Sequence, residues 1–426
     1  MNIEGIKKAL AAGDLDANLA RVYVTEEAVK AQRERYISVV EDFAGMYEDG
    51  EISLFSSPGR TEVCGNHTDH NHGKVLAAAV NLDVIAACAK TDNNIIQIKS
   101  RGFAKTDKIS LGNLIPVASE VGHSASLIRG VAARFKQLGY NIGGFNAATT
   151  SDVLSGSGLS SSAAFEVLVA TILNYLYNDG KVSPVEIAQI AQYSENIFFG
   201  KPCGLMDQMA CSVGGFVKID FEDPANPIIE PIDFKLAEHN HSLCIVDTRA
   251  GHAELTEEYA SIREDMESVA QNLGGECLRQ VDEEKFIANI AMLRQKTSDK
   301  AILRAMHFYA ENRRVDKCAE YLRAGDIEGF KATILSSGAS SYQYNQNVNS
   351  AIMGKSQPVG LALCISQSIL ENKGAWGVHG GGFAGTIQAF VPDDLLTNYK
   401  NAIESVFGEN ATYVLQIRSA GGAQIV

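Results

Sequence analysis

The stretch DVLSGSGLSSSAAFEVLVA, Asp152 to Ala170, concentrates residues able to hold an anion. Gly156 and Gly158 form a Gly-x-Gly turn around Ser157, and glycine permits the positive φ and the close backbone approach that a ligand cradle needs. Leu159 and the run Ser160-Ser161-Ser162 follow, leading into an apolar segment with the composition of a buried helix. The first turn of such a helix leaves N–H groups without partners, and with the serine hydroxyls these make a phosphate cradle at a helix N-terminus. No Gly-Lys-Ser/Thr follows, so this is not a Walker A loop, and a dinucleotide fingerprint would need a third glycine. The plain alternative is a flexible linker, although linkers rarely run straight into a strongly apolar helix.

A second stretch, GKPCGLMDQMACSVGG (Gly200–Gly215), sets Asp207 between Met206 and Met209. An acid in apolar surroundings either pairs with a cation or serves as a functional group whose pKa its environment sets. Glu195 precedes it, late in the previous helix. The two acids suit a magnesium ligand and a group that orients an attacking hydroxyl, while Glu195 alone is equally consistent with a surface helix acid. In GVHGGGFAGTIQAFV (Gly377–Val391) the glycines mark a tight turn close to something, a backbone crossing included. In SPGRTEVCGNHTDHNHGKV (Ser57–Val75), His67, Asp69, His70 and His72 raise the possibility of a metal-dependent hydrolase. On an extended segment neighbours face opposite ways, and the other histidines are dispersed, so a convergent metal site is disfavoured.

The elements that must position these groups read as α+β. Residues 1–48 are expected to be helical, with a long charged helix from about Thr25. Strands are expected at Ile52–Phe55, Asp83–Lys90, Ile95–Ser100, Val213–Phe221, Ser242–Asp247, Gly385–Val391 and Tyr413–Ile417. Helices are expected at Ser124–Leu138, Ser160–Tyr177, Ser183 to about Phe199, Glu254–Leu273, Ala301–Tyr309, Pro358–Glu371 and Asp394–Phe407. The segment DFEDPANPIIEP (Asp220–Pro231) is rich in proline and reads as the crossing between domains 1–225 and 226–426.

The chain has 426 residues, 46% hydrophobic and 21% charged, with a net charge of −14. The acidity argues against nucleic acid or an anionic membrane as partner, and no apolar run reaches the length of a membrane span. The eight cysteines form no CxxC pair and read as reduced core thiols of a cytoplasmic protein.

Taken in order, the motifs resemble those of the GHMP kinase superfamily, and within it the galactokinase branch. GRTEVCGNHTDHNHG resembles the signature G-R-x-N-L-I-G-E-H-T-D-Y-N-x-G, VLSGSGLSSSAA the ATP loop P-x-G-x-G-L-S-S-S-A, PCGLMDQ the run P-C-G-I-M-D-Q, and GVHGGGFAG the third motif G-G-G-F-G-G. DTRAGHAELTEEYASIRED resembles T-x-x-x-R-H-x-L-A-x-S-E-Y-x-x-R-R. The resemblance implies a two-domain GHMP-kinase fold, with a ribosomal protein S5-like N-terminal domain, a ferredoxin-like C-terminal domain with added helices, and the active site between them. It implies ATP and Mg2+ as cofactors and a small-molecule sugar as substrate, phosphorylated at its anomeric hydroxyl. It implies Asp207 and Arg60 as the catalytic pair, and Asn66, His67, Asp69, Gly204 and Tyr259 as sugar contacts. Gly156 to Ser162 are then the nucleotide loop, and Ser161 and Glu195 the magnesium ligands.

The chain departs from the pattern at several positions. Asn66 stands where the signature has a glutamate, His70 where it has tyrosine, Leu154 where the ATP loop has proline, and Ala384 where the third motif has glycine. Galactose is the expected sugar. The alternatives are an anomeric kinase for a related sugar, which the change at Asn66 keeps open, and a sugar and ATP sensor without turnover.

Overall fold

The computed structural model describes residues 1–47, 50–153, 159–201, 203–251 and 255–426. Two sheets organise the chain. The first has eight strands: β1 (Ser53–Cys64), β2 (Lys74–Lys90), β3 (Ile95–Ser100), β4 (Asp107–Ser110), β5 (Phe145–Ser151), β6 (Phe216–Asp220), β7 (Ile228–Ile232) and β12 (Ala423–Gln424). Its main path runs β12-β1-β2-β5-β3-β4. The long strand β2 also carries a branch: Val84–Lys90 pairs with β5, and Lys74–Ala78 pairs with β6.

Side-chain alternation explains why this sheet is covered on both faces. Phe55, Val84, Ala86 and Cys88 point into the main core with the helices Ser124–Gln137 and Ser161–Asn178. Leu54, Ile85 and Ala87 point the other way, onto Ile6, Leu10, Tyr36, Val40 and Phe43. The N-terminal helices Ile3–Ala12 and Glu26–Ala44 therefore form an outer layer on the sheet. Thr25 caps the second of them by accepting from the Ala28 N–H, with Glu26 and Glu27 in the first turn, where the helix dipole favours acids.

A buried ionic knot joins that layer to the sheet. Asp83 and Arg418 are both fully buried. Arg418 donates to Asp83 at 3.1 Å, the Tyr23 hydroxyl donates to the same carboxylate at 2.7 Å, and Arg35 and Ser56 donate to it as well. Arg35 also lies 3.1 Å from Asp152, at the entry to the glycine-serine loop.

The second sheet has the order β11 (Thr412–Leu415), β8 (His241–Asp247), β10 (Thr386–Pro392), β9 (Ala375–His379) and is antiparallel throughout. Leu243 and Ile245 of β8 join the main core, while Cys244 and Val246 pack on Val359, Ala362, Tyr399 and Ile403 of the helices Pro358–Leu370 and Leu396–Phe407.

The expected crossing at Asp220–Pro231 is a hairpin instead. β6 and β7 pair from Phe216↔Ile232 to Asp220↔Ile228, so a division at 225/226 cuts through its turn. Pro224 and Pro227 lie in or beside that turn, and Pro231 sits on a strand whose only partner among the described residues is β6, an edge position that tolerates the missing N–H. The chain leaves the first sheet after Ile232, and it returns at the end, where β12 pairs with β1.

Candidate active site

The glycine-serine loop is seated on β1. The Arg60 N–H donates to the Leu159 carbonyl at 3.1 Å. A Cβ at Gly59 would stand 2.9 Å from that same oxygen, so the contact requires glycine there. Ser160 takes a left-handed conformation (φ 55°) and starts the helix Ser161–Asn178. Its hydroxyl does not cap the helix; it donates to Asp207. Among the described residues no N-cap side chain bonds the opening N–H groups of this helix, an end that favours an anion. Gly156, Ser157 and Gly158 lie outside the described residues.

Asp207 stands in the first turn of the helix Met206–Val213. Arg60 Nε donates to its Oδ1 at 2.7 Å. Burial pushes this carboxyl up, but the Arg60 charge and hydrogen bond, with Ser160, outweigh it and hold Asp207 below the usual carboxylate range. The group is therefore an ionised acceptor at neutral pH. If turnover needs it ionised, kcat/KM falls only as pH drops through that depressed value. Arg60→Met leaves burial opposed only by the Ser160 hydrogen bond and the Lys201 charge, and the acid limb of the kcat/KM profile should move to higher pH by about one unit or more. An unmoved limb would show that Arg60 does not set the ionisation of Asp207.

Glu195 ends the helix Pro184–Ser194 and opens a π-turn, Glu195–Phe199, a distortion frequent at functional sites. It is 2% exposed. Ser162 donates to its Oε1 at 3.1 Å, Lys201 lies 3.3 Å from the same oxygen, and Gln208 donates to Oε2 at 2.7 Å. Ser162 is the serine on Glu195, one residue beyond Ser161, which the resemblance pairs with Glu195 as a magnesium ligand. One residue along a helix turns the side chain by about 100°, so the serine run alone could not decide between them. Gln208 also donates to Glu166 at 3.2 Å. Burial, with Glu195 nearby, pushes the Glu166 carboxyl well up.

The histidine-rich segment is not extended. Asp69–Asn71 form a 3-10 turn, and His67 and His72 are both left-handed (φ 59° and 61°). Among the described residues no group of three or more His, Cys, Asp or Glu could hold a metal. His67 Nε2 donates to the Gly381 carbonyl at 2.9 Å, and burial lowers this ring to about 4, so it is neutral. Asn66 is 6% exposed. Its Nδ2 donates to the Gly380 carbonyl at 2.6 Å, and its Oδ1 accepts from Asn347 at 2.7 Å. Both ends of the amide that was expected to meet the sugar are thus engaged by the protein. The Tyr259 hydroxyl donates to the Gly382 carbonyl at 2.9 Å. The glycine loop Gly380–Gly382 is the backbone crossing that ties these groups together: a Cβ at Gly382 would lie 2.1 Å from the Asn347 carbonyl oxygen.

Asp69 is held up in pKa by burial and by Asp207, although the His70 N–H stabilises its ionised form. Gly204 packs against it, where a Cβ would stand 2.9 Å from Asp69 Oδ2. The structure therefore gathers Arg60, Asp69, Ser160, Gly204 and Asp207 at one place, with Ser162 and Glu195 beside it. Sequence reasoning missed Asn347, Gln208 and Lys201. Gln208 was visible as the letter after Asp207 in PCGLMDQ; the other two carry no local signal.

Comparisons with known proteins decide the family. Residues 41–90 match the galactokinase galactose-binding signature, and residues 126–215 match the GHMP kinase N-terminal domain. The galactokinase of Glaesserella parasuis is 32% identical over 355 residues, 83% of this chain and 88% of that protein. The chain belongs to the galactokinase family of GHMP kinases. The galactokinase of Actinobacillus pleuropneumoniae is 30% identical over 354 residues, covering 82% of this chain and 87% of that protein. The crystal structure of Lactococcus lactis galactokinase complexed with galactose has a TM-score of 0.74 at 24% identity, covering 90% of this chain and 98% of that one. A mevalonate kinase shares the fold with a TM-score of 0.61 at 13% identity, covering 86% of this chain and 99% of that one. This galactokinase-family chain thus has the two-domain α+β architecture of a sugar kinase.

Proposed function

We propose that this protein transfers the γ-phosphoryl group of ATP to the anomeric hydroxyl of galactose. The observation that carries the reading is the contact of Asp207 with both Arg60 of the sugar signature and Ser160 of the phosphate loop. A carboxylate has acceptor capacity left after two such bonds, and a sugar hydroxyl can use it. In the reaction the hydroxyl oxygen forms a bond to the γ-phosphorus, the bond from that phosphorus to the bridging oxygen of ADP breaks, and the hydroxyl proton goes to Asp207. Such transfer depends on positioning and electrostatics. Arg60 keeps Asp207 ionised and offsets developing negative charge, and the N-terminus of the helix Ser161–Asn178 holds phosphate oxygens. His67, Asp69, Gly204 and Tyr259 line the sugar side in this reading, with Asn66 behind them.

Magnesium fits the residues present. Ser162 Oγ and Glu195 Oε1 are 3.1 Å apart, close to the spacing of about 3 Å between adjacent oxygens around an ion at about 2.1 Å. These would hold the ion beside the nucleotide, where it would neutralise phosphate charge. No described helix is long and apolar enough to cross a membrane. All eight cysteines are free, seven of them buried or partly buried and Cys364 exposed, which supports a place in the reducing cytoplasm.

ADP release over a panel of galactose, arabinose, galactosamine and galacturonate tests the reading. Galactose should give the highest kcat/KM. Turnover of none, or a preference of tenfold or more for another sugar, would overturn it.

A further inference from the structure

β1 carries one carboxyl that the phosphoryl-transfer chemistry leaves unused. Glu62 follows Arg60 on a regular part of the strand, where Arg60 pairs with Ala79 and Glu62 with Ala77. Alternate residues of a strand share a face, so Glu62 projects from the face that sends Arg60 to Asp207. Its cross-strand neighbour Ala77 packs with Leu205 and Met209, which flank Asp207. Glu62 is 9% exposed, yet its carboxyl makes no hydrogen bond among the described residues. The charged groups facing it are Asp69, Arg60, Asp207 and Glu311. Arg60 is bonded to Asp207, and Glu311 already accepts from Arg314, Ser337 and the Gly65 N–H. Its oxygens are not sealed from solvent, and the carboxyl faces the two acids, Asp69 and Asp207, assigned to the sugar.

We propose that Glu62 is a specificity-determining residue that hydrogen-bonds a hydroxyl of the sugar substrate, in place of the side chain of Asn66, which Asn347 and Gly380 already hold. The proposal rests on the reading of this site as that of a sugar kinase. Two features give the group its recognition chemistry. Burial, reinforced by Asp69 and Asp207, raises its pKa to about 8, so near neutral pH the protonated carboxyl both donates and accepts. The alanines opposite Arg60 and Glu62 carry no polar group and little bulk, which leaves room for a ligand hydroxyl at the carboxyl.

The test pairs enzyme variants with sugar variants. Steady-state constants are measured for wild type, Glu62→Ala and Glu62→Gln with galactose and its 2-, 3-, 4- and 6-deoxy analogues. Glu62→Ala should raise the galactose KM about tenfold or more while the KM for ATP stays within about twofold, and Glu62→Gln, which can still donate and accept, should restore most of it. With one deoxy analogue wild type and Glu62→Ala should have equal kcat/KM, because both partners of the bond are gone. A galactose KM within twofold of wild type, or an equal penalty for every analogue, would overturn the proposal. If Glu62→Ala does not fold, Glu62→Asn, which keeps a polar group but draws it back from the sugar, carries the same cycle and the same outcomes. Wild-type turnover of galactose decides the parent reading by itself. Should wild type prefer another aldose, the deoxy analogues of that sugar replace those of galactose, and the role of Glu62 stands or falls separately.

Discussion

Asp207→Asn lowers kcat by about 10^3-fold, within the range of about 10^2 to 10^4 that a positioned proton acceptor contributes. Asparagine keeps the shape and can still accept from Arg60 through its one oxygen, with its NH2 group turned to the Ser160 hydroxyl, but it cannot take the hydroxyl proton as phosphorus–oxygen bonding advances. In the proposed reaction the phosphate contacts fall on the N-terminus of the helix Ser161–Asn178 rather than on Asp207, so ATP affinity should stay within about threefold. Rapid-quench turnover and calorimetric ATP titration on the same preparation separate the two effects. A variant that kept more than a tenth of wild-type kcat would remove Asp207 from the chemical step.

The largest effect on stability is expected at Asp83→Asn. In the native protein this buried carboxylate faces Arg418 and Arg35 and accepts from Tyr23 and Ser56. Asparagine removes the charge that balances both guanidinium groups, and breaking a buried pair from one side costs about 3–5 kcal/mol. Thermal unfolding should show a Tm lower by several degrees or more. Because Arg35 also bonds the Thr150 carbonyl and faces Asp152, the KM for ATP should rise as well, through the entry to the phosphate loop. Burial raises the Asp83 carboxyl, but Arg35, Arg418 and Ser56 together hold it below its ordinary value. Its contribution is therefore complete above the unfolded pKa of about 3.9 and is lost as pH falls through the lower folded value. The stability difference between wild type and Asp83→Asn should narrow on acidification through that window. A Tm unchanged at neutral pH would mean that the knot is not a stabilising unit.

What the sequence made legible is what depends on short-range pattern. The serine run into an apolar helix and the Ser183-Pro184 helix start appear in the structure as expected, while the Arg60–Asp207 contact, between residues distant in the chain, was implied only by the family resemblance. What it concealed depends on partners distant in the chain. HTDHNH is a turn, in which left-handed His67 bonds the Gly381 carbonyl and left-handed His72 closes the 3-10 turn on the Asp69 carbonyl; no glycine at those positions fixes this geometry in the sequence. Prolines at 224, 227 and 231 signalled a break, and a hairpin turn plus an edge strand satisfies the same constraint as a domain crossing. The N-terminal helices were visible as helices, yet their role as the second cover of the sheet follows only from the alternation of Leu54 against Phe55 and Ile85 against Ala86 once β1 and β2 pair. Asn66 stood out because its letter differed, whereas its engagement by Asn347 requires the fold, and Glu62 drew no notice until its face of the strand was known.

The central claim is the position at which phosphate is placed. The direct measurement is phosphorus NMR of the product formed from galactose, ATP and Mg2+, with ADP measured in parallel. The account predicts a phosphate coupled to the anomeric proton, formed in equal amount to ADP. A phosphate on any other carbon of the sugar, or ATP consumed with no sugar phosphate formed, would contradict it.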